Sequence, residues 1–137
     1  MRYLIDSNLL IDITANVYVS DDIWNTVFDY ENLIYVSSES VKEFIHWLQS
    51  EKVTPKVKMK VLDVFDFIEK ELGFKVKYIA KEHLQAMANL DKVEGHNDPN
   101  DRLIIAQAIT EKIPLISSDR WFENYTKWGL DFIANYR

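Results

Sequence analysis

The stretch from Asp98 to Asp119 constrains the fold of this chain more than any other. Asp98 suits a helix N-cap, Pro99 the first helical position, and Asp101 the third, where its charge faces the positive end of the helix dipole. Apolar and small residues then cover nearly every side of the helix as far as Ile109, which predicts a helix buried on more than one face. A short strand follows it and leads to a turn. The pattern therefore places Asp119 at the carboxyl end of a strand.

Short apolar strands alternate with helices along the rest of the chain. Residues 2–6 form a strand that ends in Asp6, with Ser7 and Asn8 as helix caps, and residues 33–36 are an apolar run typical of a buried parallel strand. The other predicted elements are helices at 21–30, 40–48, 55–72, 81–90 and 121–125, an edge strand at 75–79 and a last strand at 130–133. This alternation predicts an α/β fold, with a mostly parallel central sheet of about five strands and helices on both faces. We expect one domain over residues 1–137.

Two of these helices carry specific packing predictions. In the helix at 40–48, Ser40 and Glu43 have capping-box spacing, so Glu43 is expected in the first turn. Trp47 lies off the main apolar stripe of that helix and is expected to be exposed at a partner surface. The helix at 55–72 is predicted to be the longest, to end at Gly73 and to bury one stripe, Val57, Val61, Phe65, Ile68 and Leu72.

Composition narrows the class of protein. The 137 residues are 47% hydrophobic and 28% charged, as in a folded cytosolic domain, and the absence of cysteine excludes disulfides and thiolate zinc sites. No apolar run is long enough for a membrane span, and the first residues do not form a signal peptide, so a cytoplasmic location is expected. The net charge of −6 argues against a broad basic face for nucleic acid. Acids gathered around cations would weaken that objection, because the bound metal neutralises them locally.

Four acids are expected to meet at one edge of the sheet. Asp6 and Asp119 end strands, and Glu43 and Asp101 lie near the starts of helices that begin on the same edge, where ligands bind in such folds. Clustered carboxylates repel by about 4 kcal/mol per pair at about 4 Å, with an effective dielectric near ~20. At least one should therefore have a raised pKa, and a cation should bind. Ligands that are all oxygens favour Mg²⁺ or Mn²⁺.

Each acid also has an ordinary structural interpretation as a cap, a dipole partner or a turn residue. Asn8 and Ser118 are candidates for orienting metal-bound water, but both are equally good caps. His96 is a candidate general base, although a lone histidine in a polar loop is more often a hydrogen-bonded loop residue. The lysines between 52 and 60 could contact phosphate or form a solvated face: Lys52, Lys56, Lys58 and Lys60.

Several motifs, taken together and in order, resemble those of the PIN-domain ribonucleases, specifically the VapC-type toxins. They are Asp6-Ser7-Asn8, Ser37-x-x-Ser40-x-x-Glu43, His96-x-Asp98-Pro99-x-Asp101-Arg102-Leu103-Ile104-Ile105-Ala106-Gln107-Ala108, and Ser118-Asp119. The resemblance implies a metal-dependent endoribonuclease, encoded beside an inhibitory antitoxin and commonly a homodimer. It assigns the acidic site to Asp6, Glu43, Asp101 and Asp119, with Asp98 as an auxiliary acid. Two residues depart from the family pattern: Ser7 stands in place of Thr, and Asn100 in place of an apolar residue.

Two other function classes compete with the nuclease. A receiver-like signalling domain is also acidic around Mg²⁺, but it needs an acidic pair after the first strand and a lysine after the last parallel strand. Here Asp6 is followed by Ser7 and Asn8. The other alternative is a PIN-fold domain acting in RNA processing, or kept only as a non-catalytic interaction module. The module is disfavoured because all four acids are present.

Overall fold

The computed structural model of the chain describes residues 1–50, 59–90 and 98–135. Its strands are β1 (Arg2–Ile5), β2 (Leu33–Ser37), β3 (Lys75–Lys77), β4 (Leu115–Ser117) and β5 (Phe132–Ala134). All neighbouring pairs are parallel, and the five strands lie in the order β3-β2-β1-β4-β5. The predicted α/β fold with a parallel sheet is confirmed. The chain moves outward from β1 to β3 and then returns to the other side of β1, so the strand order reverses between β1 and β4.

Helices cover both faces of this sheet. The α-helices among the described residues are α1 (Ser7–Thr14), α2 (Asp21–Phe28), α3 (Ser38–Gln49), α4 (Val64–Asp66), α5 (Lys81–Asn89) and α6 (Pro99–Glu111). A 3₁₀ helix, Arg120–Trp128, leads into β5. In that same described part, no helix is long and apolar enough to cross a membrane.

Two separate apolar cores follow from side chains that alternate along the central strands. Ile5 of β1 faces one core, which is built with α1, α2, α3 and α4. Leu4, its neighbour, faces the other core, which is built with α6 and the 3₁₀ helix. Each core includes a buried residue of β4, Ile116 on the first side and Leu115 on the second. The strand pair β1–β4 is therefore buried on both faces.

The predictions for α6 are confirmed. Asp98 is its N-cap, with its side chain accepting a hydrogen bond from the Asn100 N–H at 2.9 Å, and Pro99 is the first helical residue. Its interior is buried on several sides, at Leu103, Ile104, Ile105, Ala106, Gln107 and Ala108. The helix ends at Lys112, which is in the left-handed region with φ 55°.

The start of α3 differs from the prediction. The Ser37 hydroxyl accepts from the Glu39 N–H at 3.2 Å, so Ser37 is the N-cap and the capping box of Ser40 and Glu43 is wrong. Glu43 consequently lies in the second turn of α3. Trp47 is half-buried against the first core, with its ring 5.6 Å from that of Phe44. Its predicted exposure at a partner surface is wrong, because the apolar face of α3 is wider than one stripe.

The predicted helix at 55–72 is shorter and less regular than expected. Residues 51–58, which include Pro55 and Val57 of the predicted helix, lie outside the described residues. Met59 and Lys60 are not helical, and the described helix begins at Val61. It changes from 3₁₀ (Val61–Asp63) through α4 to π (Phe67–Glu71) and ends before Gly73, which has φ +74°. The changing helical period moves Val64 into the core and leaves Phe65 40% exposed, so the predicted stripe is only partly right.

Candidate active site

Asp6 lies directly after β1 and is fully buried. Its Oδ1 accepts from the Leu9 N–H at 3.0 Å, which makes Asp6 itself the N-cap of α1, in place of the predicted Ser7 and Asn8. Its Oδ2 accepts from the Ser117 hydroxyl at 2.6 Å. Burial raises the pKa of Asp6 to about 7, against the lowering effect of these two hydrogen bonds.

Glu43 reaches the same edge from α3. Its Oε2 accepts from the Ser7 hydroxyl at 2.6 Å, and its buried Oε1 has no hydrogen-bond partner among the described residues. Burial raises the pKa of this carboxyl, the Ser7 hydrogen bond lowers it, and the charge of Asp98 raises it further. A buried carboxylate oxygen without a hydrogen-bond donor is energetically costly, and binding a cation or a proton removes that cost.

Asp101 and Asp119 complete the acidic edge. Asp101 is the third residue of α6 and is only 9% exposed, and Asp119 is the N-cap of the 3₁₀ helix. The Asp119 N–H donates to the Ser117 hydroxyl at 2.9 Å, so one serine contacts both Asp6 and Asp119. The charges of Asp101 and Asp119 both raise the pKa of Asp6.

Three of the four predicted acids interact electrostatically, and the fourth, Glu43, is connected to them through Ser7. The charges of Asp101 and Asp119 raise the pKa of Asp6. Glu43 accepts a hydrogen bond from Ser7, the residue that follows Asp6. No three of the four acids bring their oxygens within 4.8 Å of one another in the described part of the chain. The expected rise in pKa is confirmed for Asp6 and Glu43, but burial contributes more to it than repulsion between the acids.

A family profile described as PIN domain matches residues 3–127. The chain belongs to the PIN domain family. PIN domains are nucleases, and PIN nucleases use divalent metal ions. No curated protein sequence matches this one.

Solved structures with the same fold include complexes that are named as toxin-antitoxin systems. The PIN domain has a TM-score of 0.69 and 14% identity to a chain of FitAcB from Neisseria gonorrhoeae, covering 98% of both chains. It has a TM-score of 0.66 and 17% identity to a chain of VapBC2 from Rickettsia felis bound to a DNA fragment from their promoter, again covering 98% of both. A third neighbour belongs to VapBC-5, a member of the VapBC family of toxin-antitoxin systems from Mycobacterium tuberculosis, with a TM-score of 0.64, 12% identity and coverage of 99% and 98%.

Three residues that were predicted to be auxiliary lie near the acids: Asn8, Ser118 and Asp98. Asn8 is exposed and lines a cleft with Ser118 and Asp119. The Ser118 hydroxyl donates to Asp12 Oδ2 at 2.7 Å, which turns it toward α1. Asp98 is an exposed cap whose charge acts on Glu43. His96, Lys52, Lys56 and Lys58 lie outside the described residues, and Lys60 is exposed.

Two serines that contact the acids were not predicted from sequence. Ser7 binds Glu43, and Ser117 binds Asp6. The parallel register pairs Ile5 with Ile116, which brings Asp6 level with Ser117. The sequence therefore shows a serine at the end of the predicted strand β4. Its hydrogen bond to Asp6 can be predicted only if β1 and β4 are known to be neighbours.

The residues of the acidic edge fit a hard divalent cation. All the side chains that converge there offer oxygen atoms, the ligands that Mg²⁺ and Mn²⁺ prefer. Glu43 Oε1 is buried without a donor among the described residues, and Asp6 is a buried carboxyl whose charge is disfavoured without a compensating cation. The serine hydroxyls beside them orient the carboxylates, as outer hydrogen bonds do in metal sites.

A second group of acidic and histidine side chains is more closely spaced than the four acids, but it links elements of the fold. Glu82, His83 and Glu111 bring one ligand atom each within 4.8 Å of one another. His83 Nδ1 accepts from the Ala80 N–H at 2.9 Å, so the ring proton lies on Nε2 and is donated to Glu111 Oε1 at 2.9 Å. Both ring nitrogens are thus in use. This hydrogen bond and the nearby Lys77 ammonium, 3.6 Å from Glu111 Oε2, lower the pKa of Glu111 and join β3, α5 and α6.

Substituting His83 with alanine is expected to destabilise the fold by about 2 kcal/mol, because it leaves the Ala80 N–H without its acceptor and opens a cavity. Lys70→Ala is the control: it breaks the exposed pair with Asp66, 3.4 Å apart, and should cost less than about 0.5 kcal/mol. Urea denaturation measures both. Stabilisation of the wild type by Zn²⁺ that disappears in His83→Ala would instead make the trio a metal site.

Proposed function

We propose that this chain is a Mg²⁺- or Mn²⁺-dependent endoribonuclease and the toxin component of a toxin-antitoxin pair. The observation that carries the proposal is the position of Asp6, Glu43, Asp101 and Asp119 at the carboxyl edge of the sheet, with a buried oxygen of Glu43 lacking any described donor. Asp6, Glu43, Asp101 and Asp119 would hold the metal. When bound, the metal supplies charge neutralisation at the phosphate and lowers the pKa of a bound water.

Two serine hydroxyls hold the proposed metal-binding acids in position. The Ser117 hydroxyl fixes Asp6 and Asp119 relative to each other, because it donates to one and accepts from the backbone of the other. The Ser7 hydroxyl fixes Glu43 through Oε2 and leaves Oε1 buried without a described donor. No side-chain nucleophile is required, since water can attack an RNA phosphodiester in line with its leaving oxygen.

The proposal also gives the chain a protein partner. The neighbouring folds come from complexes named as toxin-antitoxin systems, which supports an antitoxin that binds this chain and places a basic side chain near the acids. The resemblance to VapC-type toxins further supports a homodimer. Co-expression with the adjacent gene, followed by measurement of the mass of the purified complex, tests both.

The first test is cleavage of total cellular RNA by the purified protein. We expect cleavage with Mg²⁺ or Mn²⁺ and none in excess EDTA, with activity restored when Mg²⁺ is added back. Single-stranded DNA of matched length is the control substrate. Undiminished cleavage in EDTA would contradict the metal-dependent mechanism, and cleavage of DNA as fast as RNA would contradict the assignment of RNA as substrate.

A further inference from the structure

A second recess adjoins the acidic cleft. The cleft beside Asp119 is also lined by Arg120, and Arg120 together with Trp121 and Asn124 lines the recess next to it. The two hollows share Arg120, so they adjoin each other at this residue, next to a proposed metal ligand. A chain that passes over Asp119 in this direction meets a guanidinium group and then an indole ring.

The position of Trp121 relative to Asp119 is fixed by the backbone. Asp119 Oδ1 accepts from the Trp121 N–H at 2.9 Å, and the Asn124 side-chain amide donates to the Trp121 carbonyl oxygen at 3.1 Å. The next residue, Phe122, is fully buried and holds the 3₁₀ helix to the second core. Trp121 nevertheless keeps 46% of its surface exposed. A large, partly exposed aromatic side chain is thus held in the recess that adjoins the Asp119 cleft.

Single-stranded nucleic acid is bound by this combination of groups. Exposed aromatic rings stack on bases with little dependence on sequence, and a neighbouring cation contacts the phosphate chain. Arg120 also supplies positive charge in a protein whose net charge is −6, at the place where a polyanion has to approach a cluster of carboxylates. We propose that Trp121 stacks on a base of single-stranded RNA adjacent to the phosphate at Asp119, while Arg120 contacts the backbone. This inference rests on the ribonuclease function proposed above.

The chain contains a matched control for this residue. Trp24 is 45% exposed, but it lines a different hollow with Tyr18 and Asp21, and none of the residues lining that hollow also lines the Asp119 cleft. A general effect of removing an exposed tryptophan would appear equally in Trp24→Ala and Trp121→Ala. An effect of base stacking would appear only in the second.

The experiment measures binding in EDTA, by fluorescence anisotropy of a labelled adenosine dodecaribonucleotide and of an abasic strand of the same length. Trp121→Ala should weaken binding of the adenosine strand roughly fivefold to a hundredfold and leave the abasic strand unchanged. Trp121→Phe should retain most of the affinity, and Trp24→Ala all of it. Arg120→Gln should weaken both strands alike and reduce the salt dependence of binding by about one ion.

Three results would overturn the inference: no binding of the adenosine strand by the wild type, an unchanged affinity in Trp121→Ala, or an equal loss for the adenosine and abasic strands. The last result would make Trp121 a structural support of the cleft. Because binding is measured without metal, these outcomes are separate from those of the cleavage test. A protein that cleaves RNA but ignores Trp121 rejects only the stacking site.

Discussion

Glu43→Gln is expected to lower metal-dependent RNA cleavage by roughly a hundredfold or more. The substitution keeps the size of the side chain and can keep the hydrogen bond from Ser7. It removes the charge and replaces one carboxylate oxygen with an NH2 group, which cannot bind a cation. The measurement is the initial rate of cleavage at saturating Mg²⁺. Isothermal titration calorimetry should show that the same variant also binds Mg²⁺ more weakly than the wild type does.

Glu39→Gln is the matched control, because it makes the same chemical change one turn earlier on α3. Glu39 Oε2 lies 2.7 Å from the Lys42 ammonium, so this acid already has a cationic partner. Its substitution should change the rate less than about threefold, because the Lys42 ammonium already compensates most of the Glu39 charge. Equal losses in the two variants would mean that only the net charge of the edge matters and that Glu43 is not a ligand.

Asp6→Asn is expected to raise the melting temperature of the metal-free protein at pH 8 by about 5 to 10 °C. The folded protein has an Asp6 pKa of about 7, against 3.8 for the ordinary group, so folding favours the protonated carboxyl. Stability is therefore lost as pH rises from 3.8 toward about 7, by about 4 kcal/mol in total. Asparagine is neutral at every pH, and its amide can still accept from the Leu9 N–H and donate to Ser117.

The dependence of the melting temperature on pH and on Mg²⁺ tests whether the charge of Asp6 causes the difference between wild type and Asp6→Asn. At pH 4 wild type and Asp6→Asn should melt within about 2 °C of each other in EDTA, and saturating Mg²⁺ at pH 8 should stabilise the wild type much more than the variant. Asp98→Asn is the control for charge alone, since it removes an exposed acid and asparagine is an equally good cap. If Asp98→Asn stabilises as much as Asp6→Asn, repulsion rather than burial sets the stability of this edge.

Local signals in the sequence were enough to predict the sheet and α6. Asp98 and Pro99 are strong signals for the start of a helix, and the apolar run after them leaves no polar face. Both the first residue of α6 and its burial could therefore be predicted. The start of α3 was harder, because Ser37, Ser38 and Ser40 are all capable caps. The one that caps is decided by where β2 ends, which depends on pairing with β1 and β3 rather than on the serines themselves.

The contacts around the acids depended on information that a single sequence does not contain. Ser117 follows an apolar strand like many serines, and its role comes from the register of two strands far apart in the chain. A raised pKa of at least one of the four acids was expected from repulsion, which can be inferred from the number of acids. The structure raises the pKa of Asp6 and of Glu43. At Asp6 the main cause is burial, which depends on how closely α1 and β4 pack around the carboxyl, and that closeness has no local sequence signal.

The hydrogen bond between Asp6 and Ser117 spans 111 residues. During synthesis β1 and its neighbour β2 are made long before β4, the second neighbour of β1, has been translated. Contacts so distant in sequence form late and slow the folding reaction. Asp6 and Asp119 therefore cannot meet before residue 119 has been synthesised. Until then the acids to which the proposed function assigns the metal are not assembled.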